Sequence, residues 1–114
     1  MSDLKKLAAA FYATPAGNEP VREWLLGLDA ESRRNVGKDI ATAEFGWPVA
    51  CRSRPLSGGL FEVRSNITDG RVARVIFVNH DGWMVLLHGF IKKTQKTPKA
   101  DLDLARKRAK EITS

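Results

Sequence analysis

A single cysteine, a single tyrosine, two histidines and no long apolar run characterise this sequence by what it leaves out. Cys51 on its own closes no intramolecular disulfide and builds no cysteine metal cluster, which fits a reducing compartment. No stretch approaches the ~20 consecutive apolar residues that cross a bilayer. The N-terminal MSDLKKLAAAFYATPAG carries lysines and an apolar patch too short for a secretory signal, so a cytoplasmic protein is expected. The 13 acidic residues are scattered singly, apart from the spaced pairs Asp29/Glu31 and Asp101/Asp103. A two-metal nuclease needs several carboxylates converging on ions ~3.5–4 Å apart, and this pattern offers none. Neither HExxH nor a phosphate-cradling glycine loop is present. No metal and no cofactor are expected.

What the chain has is positive charge. Lysine and arginine number 19, and the net charge is +6 at pH 7. Residues 1–59 hold eight basic and seven acidic side chains, 60–91 hold three of each, and 92–114 hold eight against three. The excess therefore sits in the last fifth, within HGFIKKTQKTPKADLDLARKRAK (88–110), where Lys92, Lys93, Lys96 and Lys99 crowd just beyond an apolar run. A local field of this kind attracts polyanions: nucleic acid, an acidic membrane surface or an acidic protein. A solvated helix face is the plainer explanation of the same charges.

The length suits one domain, residues 1–114, with one modest core. LAAAFYA (7–13) reads as a short first strand, and TPAGN as a turn. Asn18 is expected to cap a first helix opening with Glu19 and Pro20, with Val21, Trp24, Leu25 and Leu28 as its apolar stripe. Asp29 is expected to cap a second helix with Val36, Ile40 and Ala43 inside, ended by Gly46 and Pro48. Two helices joined this tightly predict a helical hairpin. Residues 49–59 read as a loop. LFEVRSNI (60–67), RVARVIFVNH (71–80) and WMVLLHGFI (83–91) then predict an antiparallel meander, with Asp69-Gly70 and Asp81-Gly82 as tight turns. A last helix is expected from Thr97, with Pro98 at its first position and Leu102, Ala105, Ala109 and Ile112 as one buried stripe. The fold class is α+β: a small antiparallel sheet, the meander plus the N-terminal strand, packed on a helical hairpin, with a C-terminal helix.

Strand alternation places Glu62 and Arg64 on one face of the first meander strand, and Val72, Arg74, Ile76 and Val78 together on the second. On the third, it places Met84, Leu86, His88 and Phe90 opposite Val85, Leu87, Gly89 and Ile91. Arg74 stands mid-strand among apolar neighbours and must reach solvent, a partner or an anion, because burying it alone is costly. If Glu62, Arg64, Arg74 and His88 share an exposed face, two guanidiniums, a carboxylate and an imidazole meet there, rimmed by the lysines of 92–99. Each has a structural alternative. Glu62 and Arg64 form a same-face ion pair, Arg74 pairs across strands with Glu62, and His88 is a satisfied sheet histidine. His80 reads as a turn residue; Trp24, Trp47 and Trp83 read as core or edge residues.

PLSGGLFEVRSN, RVARVIFV and MVLLHGFIKKTQKTPKADLDLARKR, in this element order, resemble the RelE/ParE superfamily of toxins from type II toxin–antitoxin systems, and within it the HigB-like, phage-derived branch. The resemblance covers roughly residues 18–112, and Leu86 to Pro98 is its most specific part. It implies an endoribonuclease, an mRNA interferase, that enters the ribosome, cuts messenger RNA without metal through attack of the ribose 2′-hydroxyl, and is silenced by a cognate helix-turn-helix antitoxin. Ribosome and mRNA are then its partners, with no membrane partner. Carried over onto this chain, Arg64 and Arg74 match basic positions that hold phosphate, and Lys92 and Lys93 match basic residues after the last strand. Lys96 and Lys99 extend that RNA-binding run. Glu62 or His88 are the candidates for proton transfer. Several relatives carry a tyrosine on or near the last helix; here that helix has none, the only tyrosine being Tyr12. Two other readings on this fold are a non-enzymatic toxin, such as the ParE-like gyrase inhibitors, and a phage-derived RNA-binding protein.

Overall fold

The computed structural model describes residues 5–48, 53–92 and 97–113. Its strands are β1 (Ala8–Phe11), β2 (Ser53–Pro55), β3 (Leu60–Asn66), β4 (Val72–His80) and β5 (Trp83–Lys92), and its helices α1 (Pro20–Leu26), α2 (Ala30–Gly46) and α3 (Lys99–Thr113). The strands make one sheet in the order β1-β5-β4-β3-β2. The predicted meander is its centre, antiparallel throughout, and β1 joins β5 in parallel. Both hairpin turns owe their tightness to Asp-Gly. Asp69 and Gly70 take φ of 62° and 69°, and Asp81 and Gly82 take 51° and 81°, the left-handed pair that matches the twist of the flanking strands.

One sheet face is covered by α1 and α2, whose Val21, Val36, Ile40 and Ala43 meet Val63, Val75, Phe77 and Leu86. Trp47 closes this layer edge-on against Phe61 and Phe77, with centroids 4.7 and 5.7 Å away. The opposite face carries α3, whose Leu102, Ala105, Ala109 and Ile112 pack around Leu60, Ile76, Leu87 and Tyr12. The 3-4-3 spacing of that stripe is what a helix needs to lay one apolar edge on a sheet. The far end of α3 is tied down twice more: the Tyr12 hydroxyl donates to Glu111 at 2.6 Å, and Arg108 Nη1 donates to the Leu87 carbonyl at 2.7 Å. No helix among the described residues is long and apolar enough to cross a membrane.

The edge strand β1 is blunted by α2. Glu44, buried, accepts the backbone N–H of Ala9 at 2.7 Å and pairs with Lys5 at 2.9 Å. A capped edge N–H is unavailable to a stray strand.

Three local expectations need correction. Asn18 does not cap α1: Glu19 precedes Pro20 without a side-chain cap, while Asn18 closes the preceding turn with Thr14. Asp29 does cap α2, accepting from the Ser32 N–H at 3.1 Å. Residues 53–55, read as loop, are the edge strand β2, paired to β3. Pro55 is tolerated there because an edge strand offers one unpaired side. The third correction matters most for function. In β5, Ile76 pairs with His88 and Phe77 with Leu86, so Leu87 is an extra residue, a bulge. Strict alternation fails at that point. Met84 and Leu86 face the α1/α2 layer, and beyond the bulge Gly89 and Ile91 do so instead. His88 and Phe90 are thereby turned to the α3 side.

Candidate functional site

On the α3 side, β-register sets two rows. Arg54, Glu62, Ile76 and His88 lie across one, and Arg64, Arg74 and Phe90 across the next. Lys92 follows at the end of β5, opposite Val72. The stripe of α3 covers the sheet from Leu60 and Leu87 outward, and the first turn of α3 borders these rows. The sheet and the bulge therefore bring together Glu62, Arg64, Arg74, His88 and Lys92, five of the predicted residues, on one side of the sheet.

They are not equally accessible. The expectation of an open face fails for Glu62 and Arg74, whose side chains are 0% and 2% exposed. Arg64 and Arg74 stand directly opposite each other, and like charges in that position repel. Arg64 extends into solvent and Arg74 folds to the diagonal neighbour Glu62, where its Nη1 donates to Oε1. The same oxygen accepts from Arg54 Nε at 3.1 Å, and Oε2 accepts the Thr97 hydroxyl at 2.8 Å. Glu62 is thus a buried carboxylate held by two guanidiniums and a hydroxyl. The same-face pair with Arg64 does not form, and the cross-strand alternative does. Burial pushes the Arg74 guanidinium down from its ordinary pKa, and Glu62 opposes that; arginine stays charged regardless. Among the described residues, Arg74 Nε has no hydrogen-bond partner.

Lys92 is half-buried beside this cluster. Burial first, then the Arg74 charge, push its ammonium below the ordinary lysine range, with Arg54 and Arg64 adding to the effect and Glu62 opposing it. Four cations therefore act on one region. His88, 16% exposed, is fixed on two sides. Its Nε2 lies 2.6 Å from Asp101 Oδ1 in the first turn of α3, and its ring stacks on Phe90 at 5.5 Å and 18°.

The other predicted residues divide. Lys99 is exposed on α3 and pairs with Asp103 at 2.8 Å. Lys93, Lys96 and Cys51 lie outside the described residues. His80 sits at the second turn beside Asp81, 3.3 Å away. Trp24 and Trp47 pack on the α1/α2 layer, while Trp83 is exposed at the start of β5, a strand paired on both sides. Sequence reasoning missed Arg54, Phe90, Thr97 and Asp101. Arg54 fell in a segment with Pro and Gly, and Asp101 was noted only as one of a spaced acidic pair with Asp103. Thr97 was read only as a helix start. Among the described residues, no group of three or more His, Cys, Asp or Glu is placed to hold a metal ion.

This arrangement can hold a phosphate diester with Arg64 and Lys92 and move protons at His88. Guanidinium and ammonium groups complement phosphate oxygens. Phe90 lies between His88 and Lys92 on β5. Residues 23–110 match the family model described as phage derived protein Gp49-like (DUF891). No curated protein matches the chain.

Proposed function

We propose a function for this chain from one premise: it belongs to the phage-derived, Gp49-like protein family, a RelE/toxin-like family. The protein is the toxin of a type II toxin–antitoxin pair. It inhibits translation by cutting messenger RNA on the ribosome, without a metal ion, and is held silent in the cytoplasm by a helix-turn-helix antitoxin whose acidic segment covers the basic sheet face. The observation that carries this reading is the juxtaposition of exposed Arg64, half-buried Lys92 and the fixed imidazole of His88 around Phe90.

The chemistry needs three things: removal of the 2′-hydroxyl proton, stabilisation of a phosphorane-like transition state, and a proton for the leaving 5′-oxygen. His88 and Lys92 stand four residues apart on β5, roughly 13 Å between Cα atoms. Side chains of their length close around a phosphate lying over Phe90. Neutral His88 takes the 2′ proton. The oxygen attacks the adjacent phosphorus, forming the 2′,3′-cyclic phosphate as the P–O5′ bond breaks. Lys92, its ammonium acidified by burial and neighbouring cations, protonates the departing 5′-oxygen. An acid whose pKa lies nearer the working pH is the more efficient donor. Arg64 binds the phosphoryl oxygens. Glu62 serves as the buried counter-ion that keeps Arg74 beneath the site and ties down the exposed Arg54, because a carboxylate with no exposure and three donors is poorly placed to reach a substrate.

The test is brief induced expression in bacteria with transcript-end mapping and growth measurement. Arrest within minutes, new transcript ends within translated codons, and rescue by the neighbouring small gene are expected. Arrest with intact transcripts would instead support the binding-toxin reading.

A further inference from the structure

We infer that Asp101, on the first turn of α3, is a positioning residue that fixes the tautomer and orientation of the His88 imidazole. This rests on the reading of His88 as the proton-transfer group, and it makes α3 a part of the site as well as a cover for the sheet.

The geometry has three components. The bulge at Leu87 turns His88 to the α3 side. Phe90 blocks one ring face, stacked at 5.5 Å and 18°. Asp101 Oδ1 sits 2.6 Å from Nε2. A carboxylate only accepts, so it holds the proton on Nε2 and leaves the lone pair on Nδ1. That is the arrangement of a base oriented by a third group, and the carboxylate also supports the imidazolium that forms when the proton is taken. The docking of α3 has other anchors among the described residues. The helix is held by Leu102, Ala105 and Ala109 against the sheet, and by Arg108 and Glu111 at its far end. Removing the carboxylate charge is therefore expected to leave the helix in place, with a small loss of stabilisation at its N-terminus, and to act chiefly on the imidazole.

The experiment is a double-mutant cycle in a translating-ribosome cleavage assay, with wild type, Asp101→Asn, His88→Ala and the double variant. It is paired with 15N NMR of the imidazoles. The chain has two histidines, so His80→Gln assigns the His88 signals. Asp101→Asn is expected to lower kcat by roughly 10²-fold, within the range general acid–base groups contribute. KM and the affinity for an uncleavable 2′-deoxy transcript should hold. Asp101→Glu should recover part of the rate. In the His88→Ala background, Asp101→Asn should cost nothing further. The wild-type imidazole should show the Nε2-protonated tautomer, and Asp101→Asn should lose or mix it. An equal loss in both backgrounds, or an unchanged tautomer, overturns the positioning role while leaving the cleavage reading intact. A wild type that cuts no RNA removes the cleavage reading and the positioning role together, whereas a fully active His88→Ala removes His88 as the proton-transfer group, and the positioning role with it, while cleavage stands.

Discussion

Glu62 and Arg74 are diagonal neighbours on adjacent strands, and their opposite charges meet where neither side chain reaches solvent. The contact accounts for an arginine in the middle of RVARVIF, and the proposed function reads that arginine as scaffold. In the proposed site a phosphate would meet Arg64 and Lys92 first, with Arg74 adding positive potential from below.

Arg74→Ala is therefore expected to be destabilising. Removing one partner of a buried ion pair leaves the other uncompensated, typically at a cost of about 3–5 kcal/mol. Arg54 and Thr97 still hold Glu62, which places the loss at the lower end. Replacing both residues, Glu62→Leu with Arg74→Met, should recover most of it. Urea titration of the three proteins decides; an unchanged midpoint for Arg74→Ala would show that the pair contributes nothing to the fold.

Gly89→Ala should unfold the protein at lower temperature. A Cβ there would lie 2.4–2.8 Å from ring atoms of Trp24, a distance that forces α1 or β5 to shift. Overpacking of this kind costs about 1–3 kcal/mol. A thermal melt of the variant showing no change would mean that Trp24 has another place to go.

These two features show what the sequence could and could not disclose. The meander was legible because Asp-Gly occurs twice between alternating strands. The two helices were legible because Asp29 and the 3.6-residue stripes agree. The bulge was not, since Leu86 and Leu87 are both apolar and no pattern says which of two leucines is the extra one. That ambiguity carries through to the site, because His88 and Phe90 change faces with it. The burial of Glu62 was hidden for a different reason. It depends on Arg54 from a short edge strand and on Thr97 from beyond β5, partners distant in sequence. Arg64, exposed, and Lys92, at the head of a basic run, were the most readable members.

Exposed Arg64 should behave differently from Arg74. Arg64→Ala is expected to keep the wild-type melting temperature and lose roughly 10²–10³ in cleavage rate, the usual cost of a transition-state charge contact. Lys92→Ala should lose rate comparably and also alter the alkaline limb of the rate profile, because its ammonium is the acidified one. Single-turnover cleavage alongside thermal melts separates the two effects. Full activity in Arg64→Ala would exclude it from phosphate binding.

Asp29 gives a pH-dependent stability term of known sign. Hydrogen bonding by Ser32, and after it by Thr68, lowers its carboxyl to about 2, whereas an unfolded aspartate titrates near ~3.9. The folded state then binds fewer protons between these values. The stabilisation is complete above pH ~4 and is lost as the pH falls through about 2. Asp29→Ala should be less stable at neutral pH and should show a shallower decline across that window. Parallel stability curves for wild type and variant between pH 5 and 2 would contradict the assignment.

The most direct test of the central claim replaces one oxygen. A transcript with a single 2′-deoxy nucleotide at a mapped cut site, presented on translating ribosomes with the purified protein, removes the proposed nucleophile and leaves binding intact. The account predicts cutting of the all-ribose transcript with 2′,3′-cyclic phosphate or 3′-phosphate ends, and no cutting at the substituted position. Cleavage of the 2′-deoxy transcript at the normal rate would contradict it, since the attacking oxygen would then come from water.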